Sequence, residues 1–231
     1  MITDACGSSL VYELSDVRHR DRSGRSRARD EDRTKFGSMD NEALLRMIRA
    51  YSSMPDERAV VIAERFRTIA FAKGEALLSA GEVSDRYIVL TSGWLRSYTF
   101  NTEGEEVTTA FSGPGDVVFD VDSFFMRTPS TEHITALADG GGHVLDFAEL
   151  NGLFHAFPEF REMGRAILVK GFVALKQRLL TMINLTAEER YARLQRTRPE
   201  LFQYAQVRHI ASYLGVTDTS LSRIRKEFVR S

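Results

Sequence analysis

The segment that most constrains the fold is Gln206 to Lys226, which reads QVRHIASYLGVTDTSLSRIRK. Its apolar residues recur at helical spacing at Ile210, Ala211, Leu214, Leu221 and Ile224. Gly215 stands where a helix end favours left-handed backbone, and Thr217 is a good N-cap for a following helix. The segment is therefore predicted to form two short helices joined by a tight turn, which is the pattern of a helix-turn-helix.

The polar side chains of the second predicted helix indicate what such a motif would contact. A helix-turn-helix places the N-terminal part of its second helix against base edges in the major groove. Arg223 is the strongest candidate for reading a guanine, because a guanidinium fork matches the two acceptors on that base edge. Gln206 and Arg208 of the first helix can hydrogen-bond phosphates, as can Thr217 and Ser220 of the second. The predicted DNA contacts are Gln206, Arg208, Thr217, Asp218, Thr219, Ser220, Arg223 and Lys226. An αα-hairpin with a merely solvated basic face would show the same spacing.

Charge is segregated along the chain. Residues 186–231 hold nine Arg or Lys against five Asp or Glu, a net charge of +4. Residues 36–185 hold fourteen against twenty, a net charge of −6. Non-specific attraction to nucleic acid should therefore come from the C-terminal module alone and weaken steeply with salt.

Length and composition are those of one or two globular domains. The chain has 231 residues, of which 43% are hydrophobic and 27% charged. It contains no apolar run long enough for a transmembrane helix and no apolar core of a secretion signal, so a cytoplasmic protein without membrane contact is expected. The single cysteine, Cys6, cannot form an internal disulfide or hold an iron–sulfur cluster, and no cofactor is expected.

The first 38 residues differ in composition from the rest of the chain. Residues 18–35 carry no large apolar side chain, so this extension is expected to be disordered. It is interpreted either as a basic arm that strengthens DNA binding or as a tag, because Gly37-Ser38-Met39 resembles a junction before a natural start.

Between residues 41 and 157 the hydrophobic period changes from helical to alternating. Two short helices fit residues 41–65, with an interruption at Met54-Pro55. Strands are then predicted at 68–74, 86–93, 94–100, 106–111, 117–119, 134–137 and 143–147. Glycine-bearing turns are predicted at 73–74, 81–82, 92–93, 103–104, 113–115 and 140–142. This alternation of short strands and glycine-bearing turns is typical of a small antiparallel barrel or roll.

After Phe157-Pro158 the period becomes helical again and stays so to about residue 184. Apolar residues step by four and three at Leu168, Phe172, Leu175, Leu179 and Met182, and a second stripe carries Met163, Ile167 and Ala174. Such a helix is predicted to pack on its own roll with one face and on a partner copy with the other. A core helix of a monomer is the alternative. Thr186 to Glu189 forms a capping box that begins the next helix.

The order of roll, long helix and helix-turn-helix over residues 41–228 resembles the Crp/Fnr family of bacterial transcription regulators. The fragments that carry the resemblance are residues 71–75 with 81–82, residues 92–96, 114–116, 185–191, 211–217 and 220–226. The branch without a β-hairpin wing is the better match, because the segment 197–205 is too short to form such a hairpin and contains Pro199. After the extension or tag (1–38), the resemblance implies an α+β chain with three parts: an antiparallel, cyclic-nucleotide-binding-like β-roll (39–158), a dimerisation helix (159–184) and a DNA-binding helix-turn-helix (185–231).

The family's cyclic-nucleotide-binding members carry a Gly-Glu pair and, about ten residues later, an Arg-Ser or Arg-Thr pair that takes the phosphate. At the matching positions this chain has Phe119-Asp120 and Ser130-Thr131. The phosphate arginine is missing, and Asp120 and Asp122 add repulsion, so a buried phosphate should lose several kcal/mol. Arg127 lies three positions early and substitutes only if the loop shifts register. The degenerate effector pocket is assigned to Asp120, Asp122, Arg127, Ser130 and Thr131, with no cyclic AMP binding expected and the effector unknown.

Catalysis is not expected. The five histidines form no His-x-His pair and no spacing that suits a metal-binding facial triad, although His133 and His143 could meet across neighbouring strands. The sequence therefore predicts a homodimer that binds pseudo-palindromic double-stranded DNA, with RNA polymerase as a further partner that the resemblance implies. The alternative is a roll-containing interaction protein that does not read DNA. Asp218 motivates it, because an acid near the start of the reading helix repels phosphate.

Overall fold

The computed structural model describes residues 40–230, and the expectation for residues 1–38 lies outside them. The helices are α1 (Asp40–Tyr51), α2 (Asp56–Ala63), α3 (Val121–Met126), α4 (Phe147–Ala156), α5 (Pro158–Asn184), α6 (Ala187–Thr197), α7 (Leu201–Tyr204), α8 (Val207–Leu214) and α9 (Asp218–Arg230). The strands are β1 (Arg67–Phe71), β2 (Ala76–Leu78), β3 (Arg86–Ser92), β4 (Leu95–Phe100), β5 (Glu106–Ser112), β6 (Val117–Val118), β7 (His133–Ala136) and β8 (Gly140–Asp146).

The strands form two four-stranded antiparallel sheets, with strand orders β1-β8-β3-β6 and β2-β7-β4-β5. Apolar side chains of both sheets pack into one core, which includes Phe71, Leu78, Leu90, Leu95, Ile134 and Val144. Burial of alternate residues on facing sheets is what the period-two pattern of the sequence requires. The predicted roll and the α+β class are confirmed.

The three glycines at 140–142 were predicted as a turn, and this prediction is wrong. They form the start of β8, which pairs with β1 on one side and β3 on the other. A Cβ at Gly141 would lie 2.7 Å from the carbonyl oxygen of Ile69, and one at Gly142 would collide with the carbonyl oxygen of Val89. The segment is glycine-rich because neighbouring backbones approach it too closely for side chains.

Four short elements were missing from the sequence prediction: β2, α3, α4 and α7. The strand predicted for 143–147 ends at Asp146, which caps α4 through a reciprocal capping box with Glu149. Helix α3 ends at Arg127, whose φ of 56° is left-handed. Each of these elements is short, so its hydrophobic period was too brief to be recognised.

The long helix α5 begins with Pro158 at its first turn, where a missing N–H costs nothing. Phe160 and Met163 are fully buried in a core shared with α1, α2, α4 and the outer face of the first sheet. From Leu168 onward most side chains of α5 are exposed. The helix therefore leaves its own core after about three turns.

The C-terminal helices form a second core that reaches the roll. Thr186 and Glu189 make the predicted capping box at the start of α6. The buried side chains of this core are Tyr191, Leu194, Leu201, Ile210, Ala211, Leu214, Leu221 and Ile224, and they cluster with Trp94, Phe111 and Leu137 of the roll. The helix-turn-helix is thus packed on the roll of the same chain.

Candidate nucleic-acid interface

Helices α8 and α9 form the predicted helix-turn-helix. Gly215 adopts φ of 68°, and the N–H of Val216 donates to the carbonyl of Ala211, which closes the end of α8 as in a Schellman motif. The hydroxyl of Thr217 accepts a 3.2 Å bond from the N–H of Ser220 and so caps α9 as predicted. Leu221 and Ile224 are buried beneath α9. Local capping and two apolar anchors fix the orientation of this helix.

The outer face of α9 is polar and exposed. The exposed residues are Asp218, Thr219, Ser220, Ser222, Arg223, Arg225, Lys226 and Glu227. Arg223 and Lys226 are one turn apart, so they lie on the same side of the helix. The structure thus presents to solvent all the α9 residues that the sequence predicted as DNA contacts.

The predicted phosphate-contacting residues at the start of α8 are also exposed. Gln206 is the N-cap of α8, and its side-chain oxygen accepts a 2.9 Å bond from Nε of Arg208. Thr217 and Ser220 are likewise bonded to each other, with their hydroxyl oxygens 3.0 Å apart. These four side chains are therefore held in place by local hydrogen bonds.

The opposite face of α8 is buried against the roll and is strongly charged. His209 is only 7% exposed, and burial together with Arg96 and Arg208 lowers the pKa of His209 to about 4, against the opposing effect of Glu106 and Asp218. Arg96 is buried and bonds Oε2 of Glu106 at 2.6 Å. This bond lowers the pKa of Glu106. His209 is therefore neutral in the folded protein at pH 7.

The roll contains a cavity of about 380 Å³. Its lining residues are Leu77, Leu78, Glu82, Val83, Ser84, Asp85, Arg86, Ile88, Val118, Phe119 and Ile134. Most lining residues are apolar, and the charged ones are Glu82 and Asp85 of the loop before β3 and Arg86 at the start of β3. None of the five predicted effector residues belongs to this lining.

Asp120 and Ser130, from the two halves of the predicted cassette, do come together. Ser130 is buried, and its hydroxyl donates a 2.6 Å bond to Oδ2 of Asp120. Asp122 and Thr131 are exposed. Burial raises the pKa of the adjacent Glu132, and Asp120 raises it further, although Thr109 and Arg178 oppose the effect. Glu132, which sequence reasoning missed, makes this corner acidic.

Arg127 was considered as a substitute for the missing phosphate arginine, but in the structure its side chain binds other groups of the protein. Its guanidinium pairs with Oδ1 of Asp85 at 2.7 Å and donates to the carbonyl of Ser84 at 3.1 Å. It also lies 4.4 Å from the ring centre of Phe147. These three contacts engage the guanidinium of Arg127.

The distal part of α5 carries an exposed apolar face. All five residues predicted for the dimer interface are exposed, with Phe172 at 69%, Leu175 at 66% and Leu179 at 60%. The methyl of Met182 also touches the turn of its own helix-turn-helix, since a Cβ at Gly215 would lie 2.6 Å from Cε of Met182. Further exposed apolar residues that the sequence analysis had not assigned lie beside this face, namely Val169, Val173, Leu180 and Ile183.

The two histidines that the sequence left open for metal chemistry do not lie on neighbouring strands. His133 lies on β7 and His143 on β8, which belong to different sheets. His133 instead stacks on Tyr98 at 4.9 Å. Among residues 40–230, no group of three or more His, Cys, Asp or Glu side chains is placed to hold a metal ion. In the same range, none of the helices has the length and apolar character to span a membrane.

Known proteins resemble the chain in both sequence and fold. The cyclic nucleotide-binding domain family matches residues 68–155. The fumarate and nitrate reduction regulatory protein of Yersinia pestis is 30% identical over 171 residues, which cover 69% of this chain and 67% of that protein. The anaerobic regulatory protein of Aggregatibacter actinomycetemcomitans is 28% identical over 168 residues, covering 68% of this chain and 64% of the relative. The chain thus spans about two thirds of the length of these relatives.

Two solved structures share the architecture. FixK2 from Bradyrhizobium japonicum superposes with a TM-score of 0.62 at 19% identity, over 71% of this chain and 85% of its own. The regulator CLP of Xanthomonas campestris gives 0.59 at 14% identity, over 74% and 92%. At these identities the likeness concerns the fold, and the sequence relationship rests on the curated relatives. Together, the roll, the helix-turn-helix and the 30% identical relative show that the chain belongs to the Crp/Fnr family of transcription regulators.

Proposed function

We propose that the protein is a homodimeric, sequence-specific DNA-binding transcription regulator that reads its site with α9. The observation that carries this proposal is the arrangement of α9 itself. Its apolar residues are buried on α8, while Arg223, Ser220 and Lys226 face solvent from a helix whose start is fixed by Thr217. An exposed, basic and well-anchored second helix is what major-groove reading requires. This role implies a cytoplasmic protein.

A second copy of the chain is the proposed partner for the exposed face of α5. The apolar residues of this face step by four and three, which is the spacing of a two-stranded coiled coil. Pairing about a two-fold axis would present two α9 helices in opposite directions. The expected target is a pseudo-palindromic site whose half-sites are one DNA turn, about 34 Å, apart.

The roll is proposed to be a degenerate effector domain that does not bind cyclic AMP through a phosphate cassette. Three features support this: Ser130 is bonded to Asp120, Arg127 is paired with Asp85, and Glu132 adds a carboxyl beside them. A phosphate there would meet acidic groups and no free arginine. Any other molecule bound in the roll would act only by favouring one arrangement of the dimer over another.

The decisive experiment is selection of bound fragments from a random DNA pool with the full chain. Recovery of an inverted repeat supports the proposal and gives the half-site directly. The alternative is an interaction protein whose C-terminal helices do not read DNA, because Asp218 opens α9 with a negative charge. Absence of binding to mixed genomic fragments even at low salt, where a module of net charge +4 should adhere, would favour that alternative.

A further inference from the structure

Strand β5 is the edge of the second sheet, and helices of the C-terminal half cover its outer edge. Edge strands expose unpaired N–H and C=O groups that can accept another partner. The N–H of Thr108 donates to the hydroxyl of Ser212 in α8 at 2.7 Å, and that hydroxyl donates to the carbonyl of Glu106 at 3.2 Å. Further along, Nη1 of Arg198 donates to the carbonyl of Phe111 at 3.0 Å. The edge of β5 therefore binds the helix-turn-helix in place of another strand.

An irregularity in β5 presents two consecutive carbonyls to one side chain of α5. The register passes from Ser97–Ala110 to Tyr98–Thr108, which leaves Thr109 as an extra residue on β5. Carbonyls of neighbouring residues alternate in direction along a regular strand, and an extra residue breaks that alternation. Arg178 donates from Nη1 to the carbonyl of Thr109 and from Nη2 to the carbonyl of Thr108 at 3.3 Å.

Arg178 also binds the helix-turn-helix. Its Nη2 lies 3.3 Å from the carbonyl oxygen of Tyr213, and its guanidinium stacks over the Tyr213 ring at 4.0 Å from the centre. Tyr213 lies in the last turn of α8, where a cation is favoured by the helix dipole. One side chain of the long helix thus joins the roll to the helix-turn-helix. We call Arg178, Ser212 and the Thr108–Thr109 backbone the β5 latch.

The β5 latch leaves the DNA-facing surface free. Ser212 and Tyr213 engage the roll, whereas Gln206, Arg208 and the outer face of α9 are exposed. Docking is therefore compatible with DNA reading and fixes the direction in which α9 points relative to α5. In a dimer built on α5, this direction sets the distance between the two reading helices.

We propose that Arg178 is a positioning residue which, through the β5 latch, determines the half-site spacing that the dimer accepts. The inference rests on the proposed DNA-binding function. A flexibly tethered helix-turn-helix could bind half-sites that are moved apart by one base pair. A helix-turn-helix fixed by the β5 latch could bind them only if the DNA twists or bends. Such deformation costs free energy and lowers the affinity for DNA.

The test compares the selected inverted repeat with versions whose spacer is one base pair longer or shorter. For the wild-type chain we expect affinity to fall by about tenfold or more on the altered spacers. For Arg178→Gln we expect weaker binding to the original repeat and a ratio between spacers that approaches one. Arg161→Gln removes the same charge from an exposed site in the first turn of α5, and it should keep the wild-type ratio.

A second measurement reports on the β5 latch without DNA. Amide hydrogen exchange at Thr108, whose N–H is bonded to Ser212, should accelerate in Arg178→Gln and in the milder variant Ser212→Ala. Amides of the roll core should exchange at the wild-type rate, and light scattering should show an unchanged assembly. Unchanged exchange at Thr108 in both variants would overturn the β5 latch.

The DNA-binding function and the positioning role of Arg178 are tested by different outcomes. If the wild type prefers one spacing and Arg178→Gln retains the same preference, the positioning role of Arg178 is wrong while the DNA-binding function stands. If the wild type binds no DNA at low salt, the proposed function fails, and the spacing role fails with it.

Discussion

The hydroxyl of Ser130 donates a hydrogen bond of 2.6 Å to Oδ2 of Asp120. The sequence analysis matched these residues to the Arg-Ser or Arg-Thr pair and the Gly-Glu pair of the family's cyclic-nucleotide-binding members. Here the two side chains bind each other across the cassette. This intramolecular hydrogen bond closes the corner, and Glu132, whose N–H donates to the hydroxyl of Ser130 at 3.0 Å, adds a further carboxyl group.

Millimolar cyclic AMP should therefore neither raise the melting temperature nor change the affinity for DNA. A ligand that binds neither state preferentially shifts no equilibrium. Calorimetry is the direct measurement. Asp120→Asn, which removes the repulsion but supplies no arginine, should remain without cyclic AMP binding. A dissociation constant in the micromolar range for the wild type, about −8 kcal/mol, would show that another group replaces the missing fork.

Local signals in the sequence were sufficient for all helices of the C-terminal half except the one-turn helix α7. Gly215 at the end of α8 and the Thr186–Glu189 capping box each depend on residues within a few positions, and the structure has both as predicted. The extent of α5 followed equally well from its apolar spacing. These elements are specified by neighbours along the chain, so their identification needs no tertiary information.

The misassigned glycine segment and the contacts of Arg178 depend on residues that are distant along the chain. Gly140–Gly142 has the composition of a turn, and only its pairing with β1 and β3 explains it as a strand. Arg178 reaches carbonyls 69 and 70 residues earlier in the chain. No spacing rule connects a long side chain to backbone oxygens on another element. The DNA-facing half of the site could thus be predicted from sequence, whereas the roll-facing half could not.

Arg223→Ala should weaken binding to the selected site by about 1 to 3 kcal/mol and relax the preference at one base pair in each half-site. The reason is the loss of a bidentate contact to a guanine edge. Affinities for the selected site and for random DNA give the comparison, and Arg225→Ala removes a charge from another side of α9. An equal loss on both DNAs for Arg223→Ala would mean that this arginine contacts only phosphate.

Leu179→Glu should break the dimer. Leu179 is 60% exposed in the single chain and lies within the apolar face of α5, so the substitution would bury two like charges near the two-fold axis. Light scattering measures the effect. Gln177→Glu adds the same charge on the opposite side of α5 and should leave the assembly intact. An unchanged dimer in Leu179→Glu would place the interface elsewhere.

The interface between α8 and the roll should make stability depend on pH through His209. Burial, together with Arg96 and Arg208, lowers the pKa of His209 from an ordinary value of 6.5 to about 4 in the folded protein. Glu106 and Asp218 oppose this effect. Between these two pKa values His209 is protonated in the unfolded chain and neutral in the folded chain. The stabilising contribution is therefore complete above pH 6.5 and is lost as the pH falls towards 4.

His209→Gln, which cannot accept that proton, should lose less stability than the wild type between pH 6.5 and 4. Urea unfolding at several pH values, followed by tyrosine and tryptophan fluorescence, gives the two curves of free energy against pH. The stability of the wild type relative to His209→Gln should fall as the pH is lowered, because the wild type alone bears the free-energy cost of protonating a buried imidazole next to two arginines. His155→Gln, at an exposed position of α4, should follow the wild-type curve. Parallel curves for His209→Gln and the wild type would mean that His209 opens to solvent without disturbing the contact between α8 and the roll.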